Sequence, residues 1–354
     1  MDDGRAPLKV GLIGYGYAGK TFHAPLIAAV PALQLAAVAS SDAAKVHADW
    51  PQVSVHDTPA ALIAREDIDL VVIATPNDTH FPLARAALAA GRHVVVDKPF
   101  TVTLDEARAL CTQARERGRL LSVFHNRRWD GDFLTLRRLV ADGALGRVVE
   151  MESRFERWRP EVRQRWREGA GPGAGIWLDL GPHLADQALQ LFGLPLGITL
   201  ARECTRDGAV ADDWFHATLR YDRLQVHLQA SMLAADAAPR FVVRGTGGSF
   251  VKHGLDAQED ALKAGARPTW PPAADWGRDA GPASLVTRTG DEPAHEASVS
   301  LEAGTHMAYF AAVAAAIRGE GANPVPPEQA LDVMTLIELG IASAAQRREI
   351  GWAR

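Results

Sequence analysis

The 354-residue sequence predicts an α/β domain with a parallel sheet, followed by an α+β domain with a large, mainly antiparallel open sheet. Two observations predict this order. In the first third of the chain, short Val/Ile/Leu runs alternate with helical patterns, which is typical of parallel strands covered on both faces. Later strands are longer and several alternate between buried and exposed positions, as in an antiparallel sheet with one covered face. We therefore expect domains at residues 1–124 and 125–354.

The elements of the first domain follow from these apolar runs and from their stop signals. After a first strand near residue 10, further strands are predicted at 33–40, 53–55, 69–75, 93–98 and 120–125. Helices are predicted at 59–64, 79–90 and 104–117. Glycine directly follows the last two helices, which is a common helix stop.

The first strand leads directly into a glycine motif. Gly14, Gly16 and Gly19 form G-x-G-x-x-G, with Tyr17 and Ala18 inside it. The first glycine suits a tight turn, the second a close approach of backbone to a pyrophosphate, and the third close helix–strand packing. The amino end of the next helix offers N–H groups and a positive dipole end to phosphates. The motif predicts a Rossmann dinucleotide-binding domain; the alternative is a structural glycine turn in another α/β protein.

Further candidate cofactor residues follow the other strands, because ligands of a parallel sheet bind beyond the carboxyl ends of its strands. The candidates share that position in the sequence, and they are Ser40, Ser41, Thr75, Pro76, Asn77, Asp97 and Lys98. We expect them to lie at one edge of the sheet with the glycine motif.

The residues after the second strand bear on the choice between NADP and NAD. An NAD site usually has a carboxylate there for the ribose 2′-hydroxyl. Ser40 and Ser41, with the cation of Lys45 nearby, suit a 2′-phosphate and favour NADP. Asp42 would favour NAD if its side chain pointed into the pocket, and a solvated loop is the remaining alternative.

Two sets of residues are candidates for chemistry. Lys98 ends the fifth strand, where its charge could stabilise a developing alkoxide or carbonyl oxygen; alone it could equally be a surface lysine. Gly181 and Pro182 predict a helix start, which places His183 in the first turn, where the positive helix end keeps it neutral and able to accept a proton. Asp179 could orient His183 or share the proton, and the alternative is a structural hydrogen-bonded pair.

The second domain is predicted from longer elements. Strands are expected at 147–158, 198–204, 215–221, 225–232 and 240–244, and helices at 133–142, 305–318 and 327–348. Residues 252–300 are rich in Gly, Pro and Ala and predict loops around a short strand or two. A site is expected in the cleft between the domains.

Composition excludes several classes of partner. The chain is 47% hydrophobic with a formal charge of -5, which gives no reason to expect nucleic acid or a membrane. Cys111 and Cys204 are far apart and in no metal-like spacing, so we expect no metal and no structural disulfide. We also expect no signal peptide and a cytoplasmic location.

The motifs resemble the Gfo/Idh/MocA family of oxidoreductases. The resemblance rests on the glycine motif, on 75–77 with His80, on Asp97-Lys98-Pro99 where the family usually has Glu-Lys-Pro, and on Asp179 with His183. It is closest to the NADP-dependent scyllo-inositol dehydrogenase branch. That closer match is carried by stretches at 14–26, 122–139, 159–168 and 254–265.

This resemblance implies roles for individual residues. Lys98 would hold the reacting oxygen, His183 would take the hydroxyl proton, and Asp179 would position His183 or the substrate. Asn126 and Arg127 would begin the second domain at the cleft. Further substrate contacts would come from Trp166 and Arg167; the alternative for that run is packing on a neighbouring subunit.

The expected function is therefore an NAD(P)-dependent dehydrogenase of a cyclic polyol or sugar, with NADP favoured over NAD and scyllo-inositol as the expected substrate. One alternative on the same scaffold is an NAD-dependent glycoside hydrolase. Another is a non-catalytic nucleotide-sensing regulator. Because an open sheet needs a covered face, we expect a homodimer or homotetramer.

Overall fold

A computed structural model describes residues 5–236, 238–288 and 290–352, which form two compact units. Unit 1 consists of the described parts of Met1–Trp129 together with Gln258–Trp276 and Thr305–Leu331. Unit 2 consists of the described parts of Asp130–Ala257, Gly277–Gly304 and Asp332–Arg354. The expected boundary at 124/125 lies near the end of the first stretch of unit 1, and two later stretches of the chain also pack in that unit.

The strands of both units were largely predicted, with ends that shift by a few residues. In chain order they are β1 (Leu8–Ile13), β2 (Leu33–Ala39), β3 (Ser54–His56), β4 (Leu70–Ile73), β5 (His93–Val96), β6 (Leu121–Val123), β7 (Val148–Glu156), β8 (Gly197–Glu203), β9 (Trp214–Arg220), β10 (Gln225–Ser231), β11 (Pro239–Gly245), β12 (Gly248–His253), β13 (Ala283–Thr287), β14 (His295–Ser298) and β15 (Ile350–Gly351).

The helices are distributed over both units. In chain order they are α1 (Ala24–Ala29), α2 (Ala43–Asp49), α3 (Pro59–Ile63), α4 (His80–Ala89), α5 (Leu104–Arg117), α6 (Gly131–Ala141), α7 (Ile176–Phe192), α8 (Gln258–Lys263), α9 (Met307–Ile317) and α10 (Pro327–Gln346). A π-helical turn, Gly19–His23, leads into α1. Within the described residues, no helix combines the length and the apolar character that crossing a membrane requires.

Unit 1 contains a six-stranded parallel sheet in the order β3-β2-β1-β4-β5-β6. The strand order runs outward from β1 to β3 on one side and from β4 to β6 on the other. The boundary between β1 and β4 is therefore the topological switch point, where such sheets bind ligands. The strands are short and almost wholly apolar, since both faces are covered. The predicted Rossmann fold is confirmed.

The last stretch of unit 1 covers the edge of this sheet at β6. The Tyr309 hydroxyl donates to Ser122 Oγ at 2.9 Å, and Ser122 Oγ donates to the Val325 carbonyl at 3.2 Å. Asn323 Nδ2 donates to the Leu121 carbonyl at 2.8 Å. Residues from the end of the sequence thus satisfy polar groups of the last Rossmann strand, which would otherwise form an open edge.

Unit 2 contains a nine-stranded sheet in the order β14-β13-β12-β11-β7-β10-β9-β8-β15. Only the pair β7 and β10 is parallel among the described pairings, so the predicted mainly antiparallel sheet is confirmed. Helices α6 and α7 pack on one face with part of α10, around the fully buried Trp177 and Phe215. Trp177 Nε1 donates to the Ile337 carbonyl at 3.2 Å, which ties α7 to α10.

Several elements differ from the sequence-based expectation, and among them the strands β12 and β15 were not predicted. Residues 252–300 do contain two short strands, β13 and β14, but they also contain the unpredicted helix α8. Its six residues are too few for an apolar period to stand out. Helix α2 was not predicted either, because Val46 is its only buried side chain.

Candidate functional site

The glycine turn lies at the carboxyl end of β1, at the switch point of the sheet. Gly14 has a φ of +96°, and a Cβ on Gly19 would lie 2.0 Å from the Gly14 carbonyl oxygen, so both positions require glycine for the fold itself. A Cβ on Gly16 would meet no atom within 4 Å. The fold therefore leaves open space at Gly16, as close approach of a pyrophosphate requires. Tyr17, beside it, is 59% exposed, and Ala18 is half-buried.

The residues after β2 form the amino end of α2. The Asp42 carboxylate caps this helix by accepting the Lys45 backbone N–H at 2.9 Å. The Asp42 backbone N–H donates to Ser40 Oγ at 3.1 Å, and Ser41 is exposed. Lys45 Nζ donates to the Tyr15 carbonyl at 3.1 Å, next to the glycine turn. The Asp42 carboxylate and the Lys45 ammonium group both lie here, and the carboxylate is engaged as the cap of α2.

The residues after β4 form a compact turn between β4 and α4. Asn77 is buried and Pro76 is exposed, while Thr75 Oγ1 accepts the Thr79 hydroxyl at 2.6 Å. His80 is completely buried; its Nδ1 lies 2.9 Å from the Pro99 carbonyl and its Nε2 3.0 Å from the Thr75 carbonyl. Burial lowers the pKa of His80. His80 therefore ties the turn after β4 to the turn after β5.

The residues after β5 place a buried carboxylate beside a half-buried lysine. Asp97 Oδ1 accepts the Lys98 backbone N–H at 2.8 Å, and Asp97 Oδ2 lies 3.6 Å from His23 Nε2. Burial raises the pKa of Asp97, but the neighbouring His23 ring and the charge of Lys98 outweigh burial and lower the pKa to about 2. Asp97 is thus ionised at neutral pH and fixes the backbone that carries Lys98.

Asn126 and Arg127, which were predicted to begin the second domain, belong to unit 1. Asn126 is half-buried, whereas Arg127 is 5% exposed. Arg127 Nη2 forms an ion pair with the carboxylate of Glu259 in α8. Sequence reasoning missed Glu259, because nothing local indicates that a residue 132 positions away pairs with Arg127.

Unit 2 brings together three of the predicted residues. The Arg167 guanidinium lies 4.5 Å from the centre of the Trp166 ring, and Arg167 Nε lies 3.3 Å from Asp179 Oδ1. Trp166 remains 37% exposed. An exposed indole and a guanidinium fixed by a carboxylate can offer a stacking face and forked donors to a hydroxylated ring.

The predicted start of α7 is wrong. The helix begins at Ile176, so Pro182 lies inside it and His183 lies two turns from its amino end. Gly175, with a φ of +99°, makes the turn into the helix, and Asp212 caps it by accepting the Trp177 N–H at 2.8 Å. The helix dipole falls off within the first turn, so it cannot keep His183 neutral as predicted.

The corrected helix puts Asp179 and His183 four residues apart, and hence on one face of α7. His183 is 6% exposed, and its ring is stacked on Phe155 of β7 with 6.5 Å between centroids. A nearly buried imidazole held by an aromatic ring has a defined orientation, which general-base chemistry requires.

A buried ionic network holds the loop that carries Trp166 and Arg167. Arg206 Nη2 lies 2.9 Å from Glu168 Oε2, and Arg206 Nε lies 2.8 Å from Asp213 Oδ2. Arg206 Nη1 also donates to the carbonyls of Arg159 and Glu161, both at 3.1 Å. These positioning residues were missed, since they come from separate parts of the sequence.

Two family matches cover most of the chain. Residues 8–125 match an oxidoreductase family with an NAD-binding Rossmann fold, and residues 133–251 match the GFO/IDH/MocA C-terminal domain.

Relatives match over nearly the full length. The oxidoreductase YdgJ of Escherichia coli is 56% identical over 340 residues, which cover 96% of this chain and 97% of that protein. IolW of Bacillus subtilis, named scyllo-inositol 2-dehydrogenase (NADP(+)), is 37% identical over 345 residues, which cover 97% of this chain and 95% of IolW. A solved structure of the oxidoreductase YPO2259 from Yersinia pestis is 54% identical, with a TM-score of 0.94 and 98% of each chain covered.

Proposed function

The chain belongs to the Gfo/Idh/MocA oxidoreductases, and we propose that it transfers a hydride between NADP and a secondary alcohol of a cyclic polyol, with scyllo-inositol and its ketone as the substrate pair. At a coarser level it is an NAD(P)-dependent oxidoreductase. The observation that carries the substrate proposal is the similarity to IolW over nearly the full length of both chains.

The Rossmann unit fits a nicotinamide dinucleotide. The space at Gly16 and the exposed backbone of the turn suit the pyrophosphate, and the residues after β4 and β5 follow strands on the nicotinamide side of the switch point. When bound, the nicotinamide supplies the chemistry of accepting or giving a hydride.

We assign the chemistry to three side chains. Lys98 holds the reacting oxygen, where its charge stabilises the alkoxide that develops as the hydroxyl proton leaves. His183 takes that proton as general base, with its ring oriented by Phe155. Asp179, on the same helix face, holds Arg167 and orients it towards the polyol.

NADP is favoured by the arrangement after β2. The Asp42 carboxylate is engaged as the cap of α2, and the Lys45 ammonium lies near the same edge of the sheet. A nearby cation attracts a 2′-phosphate, whereas a carboxylate turned to the ribose would repel it.

The test is absorbance of reduced nicotinamide, with NADP and NAD in parallel, against scyllo-inositol, myo-inositol, glucose and xylose. We expect turnover with an inositol and NADP, and light scattering of the same sample should give a dimer or tetramer. Lys98→Ala should lower kcat about 100- to 1000-fold with cofactor affinity within a few-fold. Turnover with NAD alone would contradict the NADP proposal, and unchanged turnover in Lys98→Ala would contradict the role of Lys98.

The two alternative functions give other outcomes. Release of an aglycone from a glycoside without net cofactor turnover would identify a glycoside hydrolase. Cofactor binding with no turnover of any polyol, sugar or glycoside would identify a nucleotide sensor.

A further inference from the structure

Helix α8 belongs to unit 1 although it lies more than 100 residues after β6 in the sequence. It packs against the π-helical turn Gly19–His23, which begins at the third glycine of the motif. Its sequence, within 254–265, is one of the stretches that carry the family resemblance, yet the proposed reaction gives it no role. Its position therefore calls for a physical explanation.

The start of α8 is firmly anchored by Gln258, which is completely buried. Gln258 Nε2 donates to the Trp129 carbonyl at 3.2 Å, and Gln258 Oε1 accepts the His306 backbone N–H at 2.7 Å and Trp276 Nε1 at 3.3 Å. An amide that bonds to three parts of the unit fixes α8 in place.

The next residues form a chain of charges along α8. The Glu259 carboxylate pairs with Arg127 beyond β6 and lies 2.8 Å from Lys263 Nζ. Lys263 Nζ also lies 3.1 Å from Asp260 Oδ1, but the Asp260 side chain is 83% exposed. An ion pair that solvent reaches so freely contributes little, so Lys263 can exchange this partner at small cost.

Lys263 differs in its partners from Lys20 and Lys45, two other lysines that lie near the motif. Lys20 Nζ lies 2.9 Å from Asp49, and Lys45 Nζ donates to the Tyr15 carbonyl. Partial burial lowers the pKa of Lys263, but Glu259, Asp260 and the phenol of Tyr17 raise it above its ordinary value. Lys263 is therefore a charged group on the helix that packs against the π-helical turn beginning at Gly19.

We propose that Lys263 is a pyrophosphate ligand of the dinucleotide site: on binding, its ammonium exchanges the Asp260 carboxylate for a pyrophosphate oxygen and keeps Glu259 as its second partner. Glu259 is then a positioning residue for Lys263. This inference rests on the nucleotide-binding part of the proposed function, and it adds a cation from a distant part of the chain to the backbone N–H groups of the turn.

The test compares two substitutions with opposite expected effects on the dissociation constants of NADPH and of ADP-ribose, which keeps the pyrophosphate and lacks the nicotinamide. Lys263→Met should weaken both by roughly tenfold, since a charge-assisted hydrogen bond is lost. Asp260→Asn should tighten both by a few-fold, because the competing carboxylate is gone. Lys9→Met is the control: this lysine also pairs with an acid, Asp67 at 3.1 Å, but near the start of β1.

Unchanged affinity in Lys263→Met, or no tightening in Asp260→Asn, would overturn the proposal. Loss of NADPH affinity with ADP-ribose affinity retained would overturn it too, because Lys263 would then act on the nicotinamide end. A wild-type protein that binds neither NADPH nor NADH would instead contradict the nucleotide-binding function, so the two failures are distinguishable.

Discussion

The glycine turn of unit 1 and the loop at 159–175 of unit 2 both connect a strand to a helix, and they are held in opposite ways. The glycine turn is fixed by backbone packing, with Gly19 against the Gly14 carbonyl and the Lys20 N–H bonded to the Gly16 carbonyl at 3.0 Å. The loop is fixed by the charges of Arg206, Glu168 and Asp213. A turn specified by backbone can be recognised in a few consecutive residues, whereas a network of distant charges cannot.

The largest expected effect comes from removing the centre of the charge network. Arg206→Met should lower the free energy of unfolding by about 3–5 kcal/mol, because it leaves the buried Asp213 carboxylate without its cation and leaves Glu168 paired with Arg165 alone. Chemical denaturation measures this loss. Arg220→Met, which breaks the half-exposed pair with Glu349, should cost far less, because solvent screens that pair. Equal losses in the two variants would show that the loop is not held as described.

The glycine turn should respond to substitution in two separable ways. Gly19→Ala should cost about 3 kcal/mol of unfolding free energy, since its Cβ would collide with the Gly14 carbonyl. Gly16→Ala should leave the melting temperature unchanged and weaken nucleotide binding, because its Cβ meets only open space in the protein. Thermal melts and nucleotide titrations of both variants test the distinction. A Gly16→Ala protein with a lowered melting temperature and normal nucleotide affinity would contradict the assignment of Gly16 to binding rather than to the fold.

Two buried aspartates, one in each unit, give the stability of the protein opposite dependences on pH. Asp97 in unit 1 has a pKa lowered to about 2, so it contributes stability above about pH 4 that is lost as the pH falls through 2. Asp132 in unit 2 has a pKa raised to about 7 by burial and by the neighbouring Asp130, so its contribution is present below about pH 4 and lost as the pH rises through 7.

At pH 8 the corresponding asparagine variants should therefore shift stability in opposite directions, each by about 2 kcal/mol or more. Asp97→Asn should destabilise the protein and Asp132→Asn should stabilise it. Unfolding curves at pH 5 and pH 8 measure both effects. The stabilisation in Asp132→Asn should be much smaller at pH 5, which lies below the folded pKa of about 7, and an undiminished stabilisation there would point to packing rather than charge.

The same contrast explains which parts of the protein the sequence could predict. The six Rossmann strands and the glycine turn follow from local apolar runs and from three glycines, and they were predicted. The start of α7 was not, because Pro182 imitates a first-turn proline while the actual cap, Asp212, lies beyond the end of that helix in the sequence. Glu259 was missed for the same reason, since its partner Arg127 lies far away in the chain.

Unit 1 includes residues up to Leu331, so it cannot finish folding during synthesis until those residues have been made. Although its strands are made first, Tyr309 and Asn323, whose side chains close the edge at β6, are synthesised 187 and 202 residues after their partners Ser122 and Leu121. During synthesis, the edge of β6 therefore stays uncovered until these residues have been made. In that interval a chaperone can bind the exposed edge, or the edge can pair wrongly with another chain.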